Sequence, residues 1–454
     1  RVTKSESGTV TAATGSALVS MTVYSALETT YDSNDRVATE TVKGANGTAL
    51  SLVQYSYDSE GRLECTAQRM NPAIYGSLPA SACTLGTQGS YGPDRITRVH
   101  YDAAGRVVRE ESGVGTAVVG DEGALTYTDN GKVATATDGE SNRTTYEYDG
   151  HDRLAKTRFP VATQGADTSS TTDYEQYSYD ANGNVLPRRT RAGETLSFSY
   201  DKLNRLTRKT VPDRAGLAAT HERDVFYGYD LTGRPSYARF DSTSGDGISF
   251  VYDALGRMTS TTQAMDGASR TLSYLYDAAG RRTRVTHPDS QFIAYAYDTT
   301  GKPTEVSDSA SVTLRNYSYD AAGRPTGASM TSSAASTSIT YGATGQLATL
   351  GHDLSGTSAD VSTSFTFNPA GQLASETRDN DAYAFGGLVN VDRAYTNNGL
   401  NQHTAAGAVS FTYDANGNLT GDGTTTYTYD IENRLVAVSG GGFGAVLRYD
   451  PLGR

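Results

Sequence analysis

Tryptophan is absent from these 454 residues, and only two cysteines, five methionines and six histidines occur. Each scarcity removes a class of function. The histidines (His100, His151, His221, His287, His352 and His403) stand singly, so no metal-ligand spacing arises from them. His221-Glu222 opens a zinc-protease pattern, but Val225 occupies the place of its second histidine. No run of eighteen apolar residues exists to form a membrane-crossing helix. Positive charge is also short: the net charge is -12 and the pI about 5.0, which disfavours nucleic acid and polybasic membrane contacts as partners. Lys132 and Lys302 follow glycine but precede Val and Pro, so there is no phosphate-binding loop, and neither G-x-S-x-G nor D-T/S-G occurs. Asp180-Ala-Asn182-Gly183-Asn184 and Asp414-Ala-Asn416-Gly417-Asn418 open like calcium loops, yet their glycine comes at position four and their twelfth residues are Arg191 and Thr425. The chain is therefore expected to carry no cofactor and no catalytic residues.

Tyrosine and glycine are what the chain has in abundance, 31 and 48 residues respectively, with an apolar fraction of 37%. That composition favours strands and turns over a thick apolar core. One hexamer recurs: an aromatic, Asp, two variable residues, Gly, then Arg or Lys. Clear copies begin at Tyr57, Tyr101, Tyr229, Tyr252, Tyr276, Tyr297 and Tyr319. Looser ones begin at Tyr31, Tyr127, Tyr148, Tyr179, Tyr200, Tyr341, Phe367, Tyr395, Tyr413, Tyr429 and Tyr449. The 18 starts lie 16 to 44 residues apart.

The fifth position is Gly in 14 copies and Asp35, Asp152, Asn204 or Asn433 in the others, the residue types that best tolerate a left-handed backbone. Asp first and a left-handed residue fourth make a type I turn closed by a bulge, joining two antiparallel strands. The turn residues on this reading include Asp58 and Gly61, Asp102 and Gly105, Asp230 and Gly233, Asp253 and Gly256, Asp277 and Gly280, and Asp320 and Gly323. Before the Asp, aromatics alternate, as in Tyr55/Tyr57, Tyr146/Tyr148, Tyr177/Tyr179, Tyr295/Tyr297 and Tyr317/Tyr319. Period two puts each pair on one face of a strand, and stacked hairpins would align the rings as cross-strand ladders. The Arg or Lys at the sixth position is read as a solvated partner of the turn Asp or of a neighbouring copy. Ser/Thr/Ala/Gly-rich connectors at 160–173, 212–222, 331–338 and 351–362 absorb the length variation.

Cys65 and Cys83 fall in one insertion, 65–92. In an exported protein they would pair, closing a loop worth about 3 kcal/mol; the alternative is two buried free thiols.

The hexamers YDSEGR, YDAAGR, YDLTGR and YDALGR resemble those of the YD-repeat or Rhs (rearrangement hotspot) family over nearly the whole chain. The resemblance implies an all-β fold in which tandem antiparallel hairpins wind into a spiral sheet forming a hollow shell, here partly open, as a single domain over 1–454. It also implies a secreted or cell-surface bacterial protein whose shell encloses a C-terminal toxin effector. The core-associated segment and the effector are expected beyond residue 454. Asp450-Pro451-Leu452-Gly453 matches the family's self-cleavage motif superficially, but Arg454 follows and Tyr449 keeps it in register with an ordinary turn. Two other readings stand beside encapsulation: an adhesion scaffold contacting a cell-surface glycan or protein receptor, and a fibre built through edge strands.

Overall fold

The computed structural model describes residues 2–9, 21–331, 335–387 and 389–454. Among them there is no α-helix; 29 strands belong to one antiparallel sheet, with smaller sheets of 3 and 5 strands. The chain divides into two compact units, Arg1–Ala124 with Ile293–Leu388 and Leu125–Phe292 with Val389–Arg454.

A single hairpin explains the rest. Ala49–Tyr57 pairs with Leu63–Arg69, and the register gains one residue between Ser56 and Tyr57. The Asp58 N–H donates to the Arg62 carbonyl (2.9 Å), the Gly61 N–H to the Asp58 carbonyl (3.0 Å), and the Arg62 N–H to Asp58 Oδ1 (2.8 Å). Gly61 has φ +83°, which closes the turn and forces the bulge. Every fifth-position residue except Gly399 has positive φ, including Asp35 (69°), Asp152 (59°), Asn204 (60°) and Asn433 (64°).

Gly399 corrects the copy read from Tyr395. The turn there is Asn398–Gln402, with Asn401 at φ 58° and the Asn398 N–H bonded to the Gln402 carbonyl at 3.0 Å, so the repeat is offset by two residues. Gly399 answers a different demand: its N–H donates to the Ala162 carbonyl at 2.8 Å, and a Cβ would stand 2.2 Å from the Val161 carbonyl oxygen.

The strands also run further than the connectors allow. Ser169–Tyr179 begins inside 160–173, Ser336–Tyr341 inside 331–338, and both Leu347–Asp353 and Val361–Phe367 enter 351–362. Residues 332–334 of one connector lie outside the described residues. Several hairpins close at their other ends with the same five-residue turn, at Asp138–Asn142, His287–Gln291 and Asp308–Val312. The left-handed residue in these is serine: Ser141 (62°), Ser290 (69°) and Ser311 (62°).

Apolar burial is sparse and gathers mainly in small clusters. Cys65, Ala67, Ala82, Ile96 and Val114 form one in the first unit. Leu196, Val211 and Ile431 form one in the second, and Val225, Ala238 and Phe240 another. The cluster around Ile431 shows how distant turns seat within the second unit. The Lys209 ammonium meets Glu432 Oε1 at 2.5 Å, Arg214 Nη1 donates to the Tyr429 carbonyl at 3.2 Å, and the Ala192 N–H donates to Asn416 Oδ1 at 2.8 Å. In the first unit the corresponding contact runs from Gln68 Nε2 to the Pro369 carbonyl, 3.2 Å.

Candidate functional site

The turn residues build a clasp that joins each hairpin to the next. Arg62 Nε donates to Asp58 Oδ2 of its own turn at 2.7 Å. Its guanidinium then lies over the ring of Tyr101, 4.7 Å from the centroid, and Nη1 donates to the Asp102 carbonyl at 3.3 Å. The Tyr101 hydroxyl reaches back to the Leu63 carbonyl at 2.8 Å. One arginine thus holds its own turn, caps the next tyrosine and bonds the next turn's backbone.

The second unit repeats this. Arg234 bonds Asp230 (2.6 Å), covers Tyr252 (4.6 Å) and reaches the Asp253 carbonyl (3.4 Å). Arg257 bonds Asp253 (2.7 Å), covers Tyr276 (4.9 Å) and reaches the Asp277 carbonyl (3.0 Å), and Asp277 accepts from Arg281 at 2.6 Å. In the first unit Arg324 bonds Asp320 (2.8 Å) and covers Tyr341 (4.3 Å), while Lys302 lies 5.7 Å from the Tyr319 centroid. A guanidinium over an aromatic face gains cation–π attraction, and half-burial strengthens it above that of an exposed pair. The sixth residue is therefore a half-buried joint between copies, not a solvated partner.

The ladder tyrosines fall into two sets. Those beside the Asp send their hydroxyls to the preceding hairpin: Tyr57 to the Val37 carbonyl (2.9 Å), Tyr148 to Val133 (2.8 Å), Tyr179 to Leu154 (2.7 Å) and Tyr319 to Pro303 (2.8 Å). Tyr297 stands opposite Pro303 in its hairpin. Those two residues earlier have varied partners. The Tyr55 hydroxyl donates to Glu40 Oε2 at 2.7 Å, and burial together with that carboxylate pushes its pKa up to about 12. Tyr177 donates to Glu175 at 2.5 Å and is likewise pushed up to about 12, by burial first and then by the carboxylate. Tyr146 and Tyr295 lie opposite Thr157 and Val306, and Arg315 approaches the Tyr317 ring at 5.8 Å.

The aspartates are fixed ion-pair and hydrogen-bond acceptors, not poised acids. Arg153 donates to Asp149 and, with backbone N–H groups, brings its carboxyl down to about 2. Asp450 joins the same pattern: it accepts from the Leu452 N–H (2.8 Å) and Arg454 Nε (3.0 Å), and Gly453 has φ 78°.

The insertion is a second organised site. Cys65 and Cys83 form a disulfide, S–S 2.10 Å. The Glu64 carboxylate lies close to both sulfurs, but neither sulfur is a thiolate that could hold a metal ion. Residues 65–69 belong to the strand Leu63–Arg69, so the insertion begins only after Arg69; beneath it Arg69, fully buried, meets Asp94 Oδ2 at 2.6 Å, and Asp94 Oδ1 accepts from the Met70 N–H at 2.8 Å. Sequence reasoning passed over Arg69 because a strand arginine is ordinarily exposed.

Hairpins clasped in series, each arginine serving two copies, define a tandem β-hairpin repeat protein whose building block is the YD turn. The family model of the teneurin YD-shell matches residues 26–287 and 238–386, and the chain belongs to this YD-repeat family. The chain is also similar to solved toxin-complex structures. The crystal structure of TcdB2-TccC3-Cdc42 is 14% identical at TM-score 0.47, over 95% of this chain and 26% of that one. That of TcdB2-TccC3-TEV is 13% identical at 0.48, over 94% and 27%. The Photorhabdus luminescens Tc holotoxin pore is 14% identical at 0.46, over 94% and 25%. This chain thus spans about a quarter of their length. No curated protein sequence matches it significantly.

Proposed function

We propose that this chain is wall, not machinery: part of a hollow, non-catalytic shell that encloses a polypeptide effector carried at the C-terminal side of the same protein. The observation that carries the reading is how little each unit buries: its fully buried apolar residues gather mainly in clusters of only three to five, while its strands pair antiparallel one after the next. Strands so thinly backed suit a wall, which needs two faces. The clasp supports the same reading, because stability that passes from neighbour to neighbour requires no central core and leaves an interior available. The disulfide fits an oxidising destination, secreted or at the cell surface.

Protease protection of the natural full-length polypeptide tests this. The segment following the repeats should resist cleavage while the wall is intact and become cleavable once urea opens it. Cleavage of that segment in the folded protein at the rate of the isolated segment would end the container reading.

A further inference from the structure

We propose that a cleft in the first unit is a binding site for an uncharged, hydroxyl-rich ligand of about disaccharide size. The cleft has a volume of about 600 Å³ and lies where the turns at 342–346 and 368–371 approach Thr48–Ser51 and Gln68. That volume falls in the range typical of small-molecule sites, about 300–1,000 Å³. None of the described residues lining it bears a carboxylate, ammonium, guanidinium or imidazole group, in a chain where 20% of residues are charged.

The repeat itself has been altered at this place. In the copy starting at Tyr341 the clasp positions are Gly342 and Gln346, and in the next, starting at Phe367, they are Asn368 and Gln372. Two consecutive copies have therefore lost both the aspartate and the arginine, and three of the four replacements line or border the cleft: Gln346, Asn368 and, beside Ala343, Gly342. Phe367 stands in an aromatic slot otherwise held by tyrosine, and the arm that would cap its ring is Gln346, so it receives no guanidinium from the preceding copy. Phe367 and Tyr91 both line the cleft.

Burial of the turn tips does not by itself explain the change. Asp430 is 1% exposed and keeps its arginine, with Arg434 Nε at 2.6 Å. What the altered copies produce is an apolar aromatic surface beside the hydroxyls of Thr48, Ser51 and Thr344 and the amides of Gln68 and Gln346. Aromatic residues that pack against C–H groups, bordered by neutral hydrogen-bonding groups, suit a neutral sugar and disfavour a charged one, whose desolvation no counter-charge here offsets. The container reading does not depend on this site, and the site does not depend on the container.

Saturation-transfer NMR on the full chain tests it with maltose, cellobiose and N,N′-diacetylchitobiose as probes, and glucuronate and glucosamine as charged comparators. At least one neutral disaccharide should receive saturation, and titration should show its affinity falling by about tenfold or more in Phe367→Ala. Ala343→Trp should abolish transfer by filling the cleft; Leu50→Trp fills it from the opposite wall and replaces that variant if it does not fold. Silence from all three neutral probes, equal transfer to the charged sugars, or transfer that survives a filled cleft would each overturn the proposal.

Discussion

Asn184 donates from Nδ2 to Asn204 Oδ1 at 2.9 Å, joining the sixth residue of one turn to the fifth residue of the next. Asn418 and Asn433 make the same bond at 2.9 Å. Where the sixth residue is arginine, the following fifth residue is glycine, and in several copies the long arm lies against that slot. A Cβ on Gly256 would come within 3.4 Å of Arg234 Nη1, and one on Gly61 within 3.3 Å of Arg36 Nη1. At these two positions glycine is selected twice, by its φ and by the neighbour's arm. Gly256→Ala should destabilise the chain by about 1–2 kcal/mol from the left-handed backbone alone, with the crowded arm adding to it. Asn204→Gly, which relieves the backbone while losing two exposed hydrogen bonds, from Asn182 and Asn184, should cost less. Urea midpoints of the two variants compare them directly, and equal losses would contradict the neighbour rule.

The tyrosine hydroxyl can be weighed separately from its ring. Tyr276 donates to the Met258 carbonyl at 2.7 Å while its ring is covered by Arg257. Tyr276→Phe keeps the ring and its cation and should cost about 1 kcal/mol, the typical net worth of one hydrogen bond. Arg257→Lys should lower the urea midpoint as well, because an ammonium cannot bond Asp253, reach the Asp277 carbonyl and stack on the ring at once. A midpoint unchanged by the lysine substitution would mean that the arginine contributes charge and nothing more.

The turns could be read from the sequence because their chemistry is local: an acceptor at one end and a residue tolerant of positive φ three positions on. The same logic misplaced the copy at Tyr395, since Gly399 looks like a turn glycine but is small for the sake of the Val161 carbonyl. Ser141, Ser290 and Ser311 were invisible because serine carries no left-handed preference, and the Asp138 and Asp308 acceptors that hold two of those turns look like any exposed aspartate. The arginine was legible as a partner of Asp but not as the cap of the next tyrosine. That role depends on the distance between adjacent hairpins, which no spacing in the chain records. Contacts such as Lys209 with Glu432 join residues 223 apart and leave no pattern at all.

Acid should loosen the hairpin array in a defined window. The hydrogen bond from Arg153 leads the causes that hold the Asp149 carboxyl at about 2, and that from Arg205 leads those that lower Asp201. An unfolded aspartate titrates near about 3.9. Because the folded value is the lower one, the stabilisation is fully present above about pH 4 and is lost as pH falls through about 2. Circular dichroism followed from pH 6 to pH 1.5 should show the loss confined to that interval, and Asp149→Asn should make it shallower. A flat signal across the interval, or an unaltered slope in the variant, would show that the clasp carboxylates do not govern acid stability.

Arg69 is buried completely, and its five N–H groups are all engaged. Nε and Nη2 donate to Gln54 Oε1 (3.0 and 2.5 Å), Nη2 also to the Ser81 carbonyl (3.1 Å), and Nη1 to the Thr84 carbonyl (2.8 Å) and Asp94 (2.6 Å). Two of these partners, Ser81 and Thr84, belong to the insertion, so the guanidinium pins it to the sheet beside the disulfide. Asp94→Asn would keep the shape but leave the buried cation without its counter-charge, a loss of about 3–5 kcal/mol for a pair this enclosed. Because only the insertion and its neighbours depend on Arg69, the effect should be local. Trypsin-independent cleavage within 75–92 should accelerate, while cleavage elsewhere in the chain stays constant. The disulfide still tethers the insertion at Cys83 in this variant, so reducing Cys65–Cys83 should add to the acceleration. Identical cleavage of the variant and the natural chain, with the disulfide intact, would mean that the apolar cluster around Ile96 holds the insertion without help from the ion pair.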